Sequence, residues 1–144
     1  MKVPANYNTN GQLVISGSVE GVEKAAKILT DLGARRVVLL PVGGAFHSPL
    51  MQPAQDRLRA AIEKASFRTP ACEIYQNTDA QPSTDPDEIK AKLIAQLTSP
   101  VRWTQTIQNM QAAGLTNFVE IGGKGKILAG LIRKVDRSLN VEQL

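Results

Sequence analysis

The sequence predicts an α/β fold with helices packed on both faces of a sheet, and three observations carry that prediction. Apolar residues recur at helical spacing in several separate segments, short runs of β-branched and aliphatic residues stand between them, and glycine, proline or a capping residue marks the changeovers. Alternation of this kind sets strands in a middle layer and helices in two outer ones.

Residues 13–17 read as a strand. Val22, Ala25, Ala26, Leu29 and Leu32 line one face of a helix that stops at Gly33, and residues 36–42 read as the next strand, which completes a β-α-β unit. Met51, Ala54, Leu58, Ala61, Ile62 and Ala65 share a helix face, residues 73–78 form a strand, and residues 79–85 are a polar loop. Asp85-Pro86-Asp87-Glu88 is a helix start, with Asp85 as N-cap, proline in the first turn and Glu88 positioned to close a capping box. Ser99-Pro100 is read as a second start of the same type. Trp103, Ile107 and Met110 form the stripe of the helix that follows and ends at Gly114; residues 117–121 then read as a strand. Ile127, Leu128, Leu131, Ile132 and Val135 make a final amphipathic helix.

Composition narrows the functional classes. The chain has 144 residues, 42% of them hydrophobic and 21% charged, which is ordinary for a globular protein with a substantial core. No apolar run approaches the roughly 20 residues that span a bilayer, and Met1-Lys2-Val3-Pro4 lacks the apolar stretch of a secretory signal, so a soluble, cytoplasmic protein is expected. Cys72 is the single cysteine, which excludes an internal disulfide or a multi-cysteine zinc site; at the start of a predicted strand it is expected to be a small buried hydrophobe. A net charge of +4 and a pI near 9.4 admit an anionic partner. Nucleic acid is disfavoured, because the six aromatic residues are not interleaved with the basic ones as a base-stacking surface requires.

Candidate chemistry centres on His47, the only histidine, which follows a predicted strand within Gly44-Ala45-Phe46-His47-Ser48-Pro49-Leu50-Met51. Imidazole moves protons near neutral pH, and α/β folds carry their sites at strand ends. A lone histidine also serves as a surface or satisfied core residue, so the octapeptide around it matters more than the residue itself. That octapeptide resembles the histidine motif of the malonyl-CoA:acyl-carrier-protein transacylases and of the acyltransferase domains of fatty-acid and polyketide synthases. Three further segments are similar to that family in the same order: Pro4-Ala5-Asn6-Tyr7-Asn8 with Gly11-Gln12-Leu13-Val14-Ile15-Ser16-Gly17, then Gln96-Leu97-Thr98-Ser99-Pro100-Val101-Arg102-Trp103, then Glu120-Ile121-Gly122-Gly123-Lys124-Gly125-Lys126-Ile127-Leu128.

The resemblance implies the C-terminal part of a three-layer, α/β-hydrolase-like acyltransferase fold. Residues 1–42 would be the second half of a ferredoxin-like small subdomain, and residues 43–144 the C-terminal part of the large domain. It implies transfer of malonyl from coenzyme A to acyl carrier protein through a malonyl-serine intermediate, with no metal and no cofactor beyond the thioester substrate. The family's nucleophile sits in a Gly-x-Ser-x-Gly elbow, followed by an arginine that holds the malonyl carboxylate. No serine here lies in that pattern, so the nucleophile, the arginine and an N-terminal half of the enzyme are expected before residue 1.

Carried over residue by residue, His47 is the expected base, and Gln96 occupies the position whose main-chain carbonyl orients it; as a bare sequence feature Gln96 is also an ordinary helix-surface glutamine. Asn6, Asn8 and Gln12 match positions at the active-site mouth, although Asn-Tyr-Asn-Thr-Asn-Gly is equally a tight turn before a strand. Phe46 is expected to limit the acyl pocket and to select malonyl over methylmalonyl, the alternative being a plain core phenylalanine. Residues 122–126, Gly-Gly-Lys-Gly-Lys, lack the spacing of a Walker loop and read as the turn that opens the last helix. A non-catalytic basic binding module for nucleic acid, a non-catalytic interaction domain and a hydrolase stay open as alternative readings at this level.

Overall fold

The computed structural model describes residues 1–122 and 126–144. Strands β1 (Lys2–Thr9) and β2 (Gln12–Gly17) form an antiparallel hairpin whose turn is Asn10-Gly11, with irregular register between Pro4 and Asn6 and between Tyr7 and Thr9. Helix α1 (Val19–Asp31) follows; Ser18 caps it by accepting from the Gly21 N–H, and Gly33 takes a φ of +86° just beyond its end. After a long irregular stretch, a short 3-10 turn (Pro49–Met51) runs into α2 (Gln52–Glu63). Next come β3 (Ile74–Tyr75), β4 (Pro82–Ser83), α3 (Pro86–Ala95) and α4 (Trp103–Ala112). Strand β5 (Asn117–Glu120), helix α5 (Ile127–Val135) and strand β6 (Asn140–Gln143) close the chain as a β-α-β unit in which β5 and β6 run parallel.

The described residues contain three two-stranded ladders, β1–β2, β3–β4 and β5–β6. A parallel bridge between Asn6 and Val101 ties the hairpin to the α3–α4 connection: Val101 donates to the Ala5 carbonyl and Tyr7 donates to the Val101 carbonyl, each at 2.8 Å. Thr104 adds a third link by donating to the Tyr7 carbonyl at 3.1 Å. Beneath β1, Ile107 of α4, Ile132 of α5 and Leu139 just before β6 form the core, with Trp103, Met110, Phe118, Val135 and Val141 packed around them. Ile107 is 1% exposed, and burying a side chain of that size contributes about 1.5–3 kcal/mol.

Several sequence expectations need correction. Residues 36–42 form no strand among the described residues, and Val37, Val38, Leu39, Leu40 and Val42 are all exposed. A β-branched run favours extended backbone, yet a strand exists only where a neighbour accepts its ladder. The strand expected at 73–78 shrinks to Ile74–Tyr75, because the chain turns back at once and Pro82–Ser83, inside the expected loop, pairs with it. Strands β1 and β6 were not expected: the first is asparagine-rich and the second has one β-branched residue, so both owe their form to tertiary pairing. Cys72 is exposed, since it falls before β3 in a segment that no layer covers.

Two helix starts also differ. Asp85 caps α3 by accepting from the Asp87 N–H, but Glu88 does not complete the box. Its carboxylate instead accepts from the Ser83 hydroxyl and pairs with Lys92, whose ammonium also meets Asp79 at 2.7 Å. The Lys92 bond, then the Ser83 bond, holds the Glu88 carboxyl below the usual carboxylate range. Ser99-Pro100 does not begin α4, which starts at Trp103 with Arg102 at its cap and no side-chain cap bond; Ser99 has another use, described below. Of the 122–126 loop, residues 123–125 lie outside the described residues. At its far side Glu120 accepts from the N–H groups of Leu128 and Ala129 at 3.1 and 3.0 Å, so a carboxylate from β5 caps α5. No helix among the described residues is long and apolar enough to cross a membrane.

The uncovered apolar run 37–42 predicts that the 144-residue chain binds a hydrophobic dye and self-associates. Replacing Val38 and Leu40 together by lysine should cut both signals with no loss of helical circular dichroism; a wild-type monomer that binds no dye and melts in one sharp step would contradict this. The Glu120 cap has a pH signature. The Ala129 N–H, then the Leu128 N–H and the Gln143 amide, hold its carboxyl below the ordinary range against the opposing effect of desolvation. Stability from a lowered carboxyl is present above the unfolded value, about pH 4.3, and is lost as pH falls through the folded one. The stability gap between wild type and Glu120→Gln, read by denaturant titration, is therefore largest at neutral pH and shrinks below about pH 4.

Candidate active site

His47 sits where the irregular segment meets the 3-10 turn, with a φ of +59°. A non-glycine residue in that left-handed region costs about 1–3 kcal/mol and persists only where surrounding contacts hold it. Ser48 supplies one of those contacts. Its side chain is fully buried, donates to the Ala45 carbonyl at 2.6 Å and accepts from the Leu50 N–H, so the turn that follows His47 is locked from within.

The α3–α4 loop supplies the rest. The His47 backbone N–H donates to the Leu97 carbonyl at 3.1 Å, while the imidazole Nδ1 lies 3.0 Å from the Gln96 carbonyl and 3.1 Å from the Ser99 carbonyl. Both are main-chain acceptors with no proton to give, so Nδ1 carries the hydrogen and shares it between them. The neutral ring then has its lone pair on Nε2, the nitrogen on the other side of the ring. Such a histidine can take a proton at Nε2 while its other nitrogen stays fixed, which is the geometry of a general base.

The loop can offer these carbonyls because α3 ends there. The last carbonyls of a helix have no intrahelical partners, and α3 stops at Ala95 with Gln96 as its C-cap. Gln96 and His47 therefore come together through the Gln96 main chain. The expectation named Gln96 alone; Leu97 and Ser99 were not expected, and main-chain groups carry no residue-type signal from which they could have been found.

Among the remaining candidates, Phe46 adjoins His47 and is 50% exposed, with its ring against Gly44, so it is no core residue in this chain. Asn6 and Asn8 lie half-buried on β1, and Asn6 takes part in the bridge to Val101, two residues beyond Ser99. Gln12, exposed at the start of β2, lines an open groove of about 410 Å³ with Tyr7, Thr9, Thr104 and Gln105. Among the described residues no hydrogen bond joins Asn6, Asn8 or Gln12 to His47.

One buried polar residue was missed. Gln55 is only 5% exposed and lies on the apolar stripe of α2, one turn from Met51 and from Leu58. A glutamine at that register, where every neighbour on the stripe is apolar, was the available signal.

Comparison with known proteins bears directly on this arrangement. The chain is 43% identical over 135 residues to the malonyl CoA-acyl carrier protein transacylase of Bacillus subtilis (strain 168), covering 94% of this chain and 42% of that protein. It superposes on the crystal structure of acyl-carrier-protein-S-malonyltransferase from Bartonella henselae with a TM-score of 0.95 at 38% identity, over 99% of this chain and 45% of that one. The malonyl-transacylase solved in complex with a type II polyketide-synthase acyl-carrier protein gives a TM-score of 0.94 at 33% identity, with 46% of its length covered. The chain thus spans less than half the length of the relatives it matches. Residues 2–144, which include His47 and the whole carbonyl loop, match the acyl transferase domain family, and the chain belongs to that family.

Proposed function

We propose that this chain forms the histidine-bearing part of a malonyl-CoA:acyl-carrier-protein transacylase of fatty-acid synthesis, acting in the cytoplasm. The nucleophilic serine and the arginine that holds malonate come from residues outside this sequence. The observation that carries the reading is the His47 imidazole, held through Nδ1 by two main-chain carbonyls so that Nε2 can act as base. Two facts support the division of the site: the chain matches less than half of each relative, and its 144 residues contain no Gly-x-Ser-x-Gly.

The chemistry follows from that tautomer. Nε2 takes the serine hydroxyl proton as the oxygen attacks the thioester carbonyl of malonyl-CoA. The tetrahedral intermediate then expels the coenzyme A sulfur, which takes the proton back from Nε2, leaving a malonyl-serine ester. The carrier-protein thiol reverses the sequence: it gives its proton to Nε2, attacks the ester, and the serine oxygen leaves with that proton. The loop carbonyls keep the ring oriented and stabilise the imidazolium formed midway, a task that other serine enzymes give to a carboxylate. Serine and histidine suffice for this chemistry, so neither a metal nor a cofactor beyond the thioester has a step to perform.

Asn6, Asn8 and Gln12 are assigned to the mouth of the site, where amides orient the substrate or the histidine loop. Residues 1–42 are assigned to half of a ferredoxin-like subdomain and residues 43–144 to the large α/β-hydrolase-like domain. The run 36–42 would then find its ladder partner in the serine-bearing segment.

Joined to a serine-bearing segment from a relative such as the Bacillus subtilis enzyme, the chain should transfer malonyl from coenzyme A to acyl carrier protein. His47→Ala should then lower the rate by about 10²- to 10⁴-fold, the contribution of a general base. Malonyl transfer by the 144-residue chain alone, or full activity of the His47→Ala variant, would overturn the proposal.

Phe46 sets substrate choice in the same reading. A phenyl ring beside the acyl group excludes an added C2 methyl, and forcing a methyl into a filled site costs about 1–3 kcal/mol. In competition between malonyl- and methylmalonyl-CoA, Phe46→Ser should narrow the kcat/KM ratio by roughly tenfold, chiefly by raising methylmalonyl use. An unchanged ratio in a folded variant removes Phe46 from the specificity residues.

A further inference from the structure

We propose that Gln55 is a positioning residue: it clamps the α3–α4 loop on both sides of the Gln96 and Leu97 carbonyls that meet His47. The role rests on the reading of His47 as the base, and it begins with what Gln55 does to α3. Its Nε2 donates to the Ile94 carbonyl at 2.9 Å and to the Thr98 hydroxyl at 3.1 Å. Ile94 lies in the last turn of α3, where carbonyls lack helical partners, so the amide satisfies a group that the helix cannot. Thr98 in turn folds back on that helix end, its backbone N–H donating to the Ala95 carbonyl at 3.2 Å. The two bonds of Gln55 thus bracket residues 95–97, and Gln96 and Leu97 inside that bracket give their carbonyls to His47, while Ser99 does so one residue beyond it.

His47 and Gln55 belong to one short, continuous piece of chain. Ser48 locks the 3-10 turn, that turn runs directly into α2, and Gln55 lies in the first turns of α2. The same piece therefore grips the same loop at two places, with the imidazole at one end and the amide at the other. One attachment fixes a distance but allows the loop to rotate; two fix its orientation relative to the imidazole as well. Packing alone gives no reason for an amide here. Met51, Ala54, Leu58 and Ile62 make the rest of the stripe, an aliphatic residue would fill the space, and a buried amide is costly unless both of its hydrogens are used.

The test reads the clamp through the only imidazole in the chain. In the 144-residue protein the neutral His47 ring should give ¹⁵N signals of an Nδ1-protonated tautomer, with Nδ1–H exchanging slowly with water. Gln55→Leu keeps the volume and removes both bonds; it should speed that exchange by about tenfold or more while far-ultraviolet circular dichroism stays unchanged. Thr98→Val removes one of the two partners and should give a smaller change in the same direction, and it decides the matter if Gln55→Leu does not fold. In the enzyme joined to its serine-bearing segment, Gln55→Leu should lower kcat by about tenfold to 10²-fold, the scale of a misplaced catalytic group, and leave KM within about twofold. Unchanged Nδ1–H exchange in both folded variants overturns the clamp. Faster exchange with an unchanged kcat upholds the clamp and overturns instead the reading of His47 as the base.

Discussion

The shared hydrogen bond from His47 Nδ1 to the Gln96 and Ser99 carbonyls is the constraint around which this chain is arranged. It fixes a tautomer, and through the tautomer it fixes which ring nitrogen is chemically available. It also requires a helix that ends in the right place, because only the loose carbonyls of a helix terminus and its loop can point sideways at an imidazole. Helix α3 therefore has to begin and end at set positions. Asp85 and Pro86 define its start, and the turn after Ala95 defines its end. The Lys92–Asp79 ion pair and the hydrogen bond from the Ser83 hydroxyl to Glu88 tie it to the β3–β4 hairpin.

The same loop is held again from the hairpin side. Val101, two residues past Ser99, exchanges backbone hydrogen bonds with Ala5 and Tyr7 of β1, and Thr104 reaches the Tyr7 carbonyl from α4. The carbonyl loop thus runs between two anchored ends, α3 on one side and a pseudo-ladder with β1 on the other. The buried contacts of Ile107 with α5 keep α4 from shifting. Position at the imidazole is in this sense a product of the core: moving α4 by a small amount would move Val101, and Val101 is two residues from a His47 acceptor.

Much of this was legible in the sequence, and what was not has a physical cause. Helices α1, α2, α3 and α5 follow from apolar periodicity and punctuation, since Gly33 ends one and Asp85-Pro86 begins another. The local rules fail where pairing is non-local. Residues 36–42 have the composition of a strand and no ladder among the described residues, whereas Asn140–Gln143 has little strand composition and pairs with β5 because α5 returns the chain beside it. Glu88 was expected to reach the helix start and turned instead to Lys92, one turn along the same helix, and to Ser83, whose position depends on where β4 lies. At the site, the histidine was visible by its rarity and its octapeptide. Its acceptors were not, beyond Gln96, because a carbonyl is the same in every residue.

Strain in the backbone shows the same logic of a loop held by its neighbours. Among the described residues three that are not glycine have positive φ, His47, Ala80 and Lys126, and each stands at a junction between elements. Ala80 is fully buried, its N–H donates to the Gln76 carbonyl, and its own carbonyl accepts from the Asn109 side chain on α4 at 2.7 Å. Lys126 stands at the start of α5, the end that Glu120 caps. Such conformations are each unfavourable by about 1–3 kcal/mol in isolation, so each must be offset by bonds that the relaxed backbone would lose. For Ala80 the offset comes from α4, and for His47 it comes from the Leu97 carbonyl and the buried Ser48 hydroxyl. A loop free of these bonds would relax His47 to negative φ and turn its side chain away from the Gln96 and Ser99 carbonyls. The strain at His47 and the tautomer of its ring are therefore two consequences of one set of hydrogen bonds, and a change that releases one releases the other.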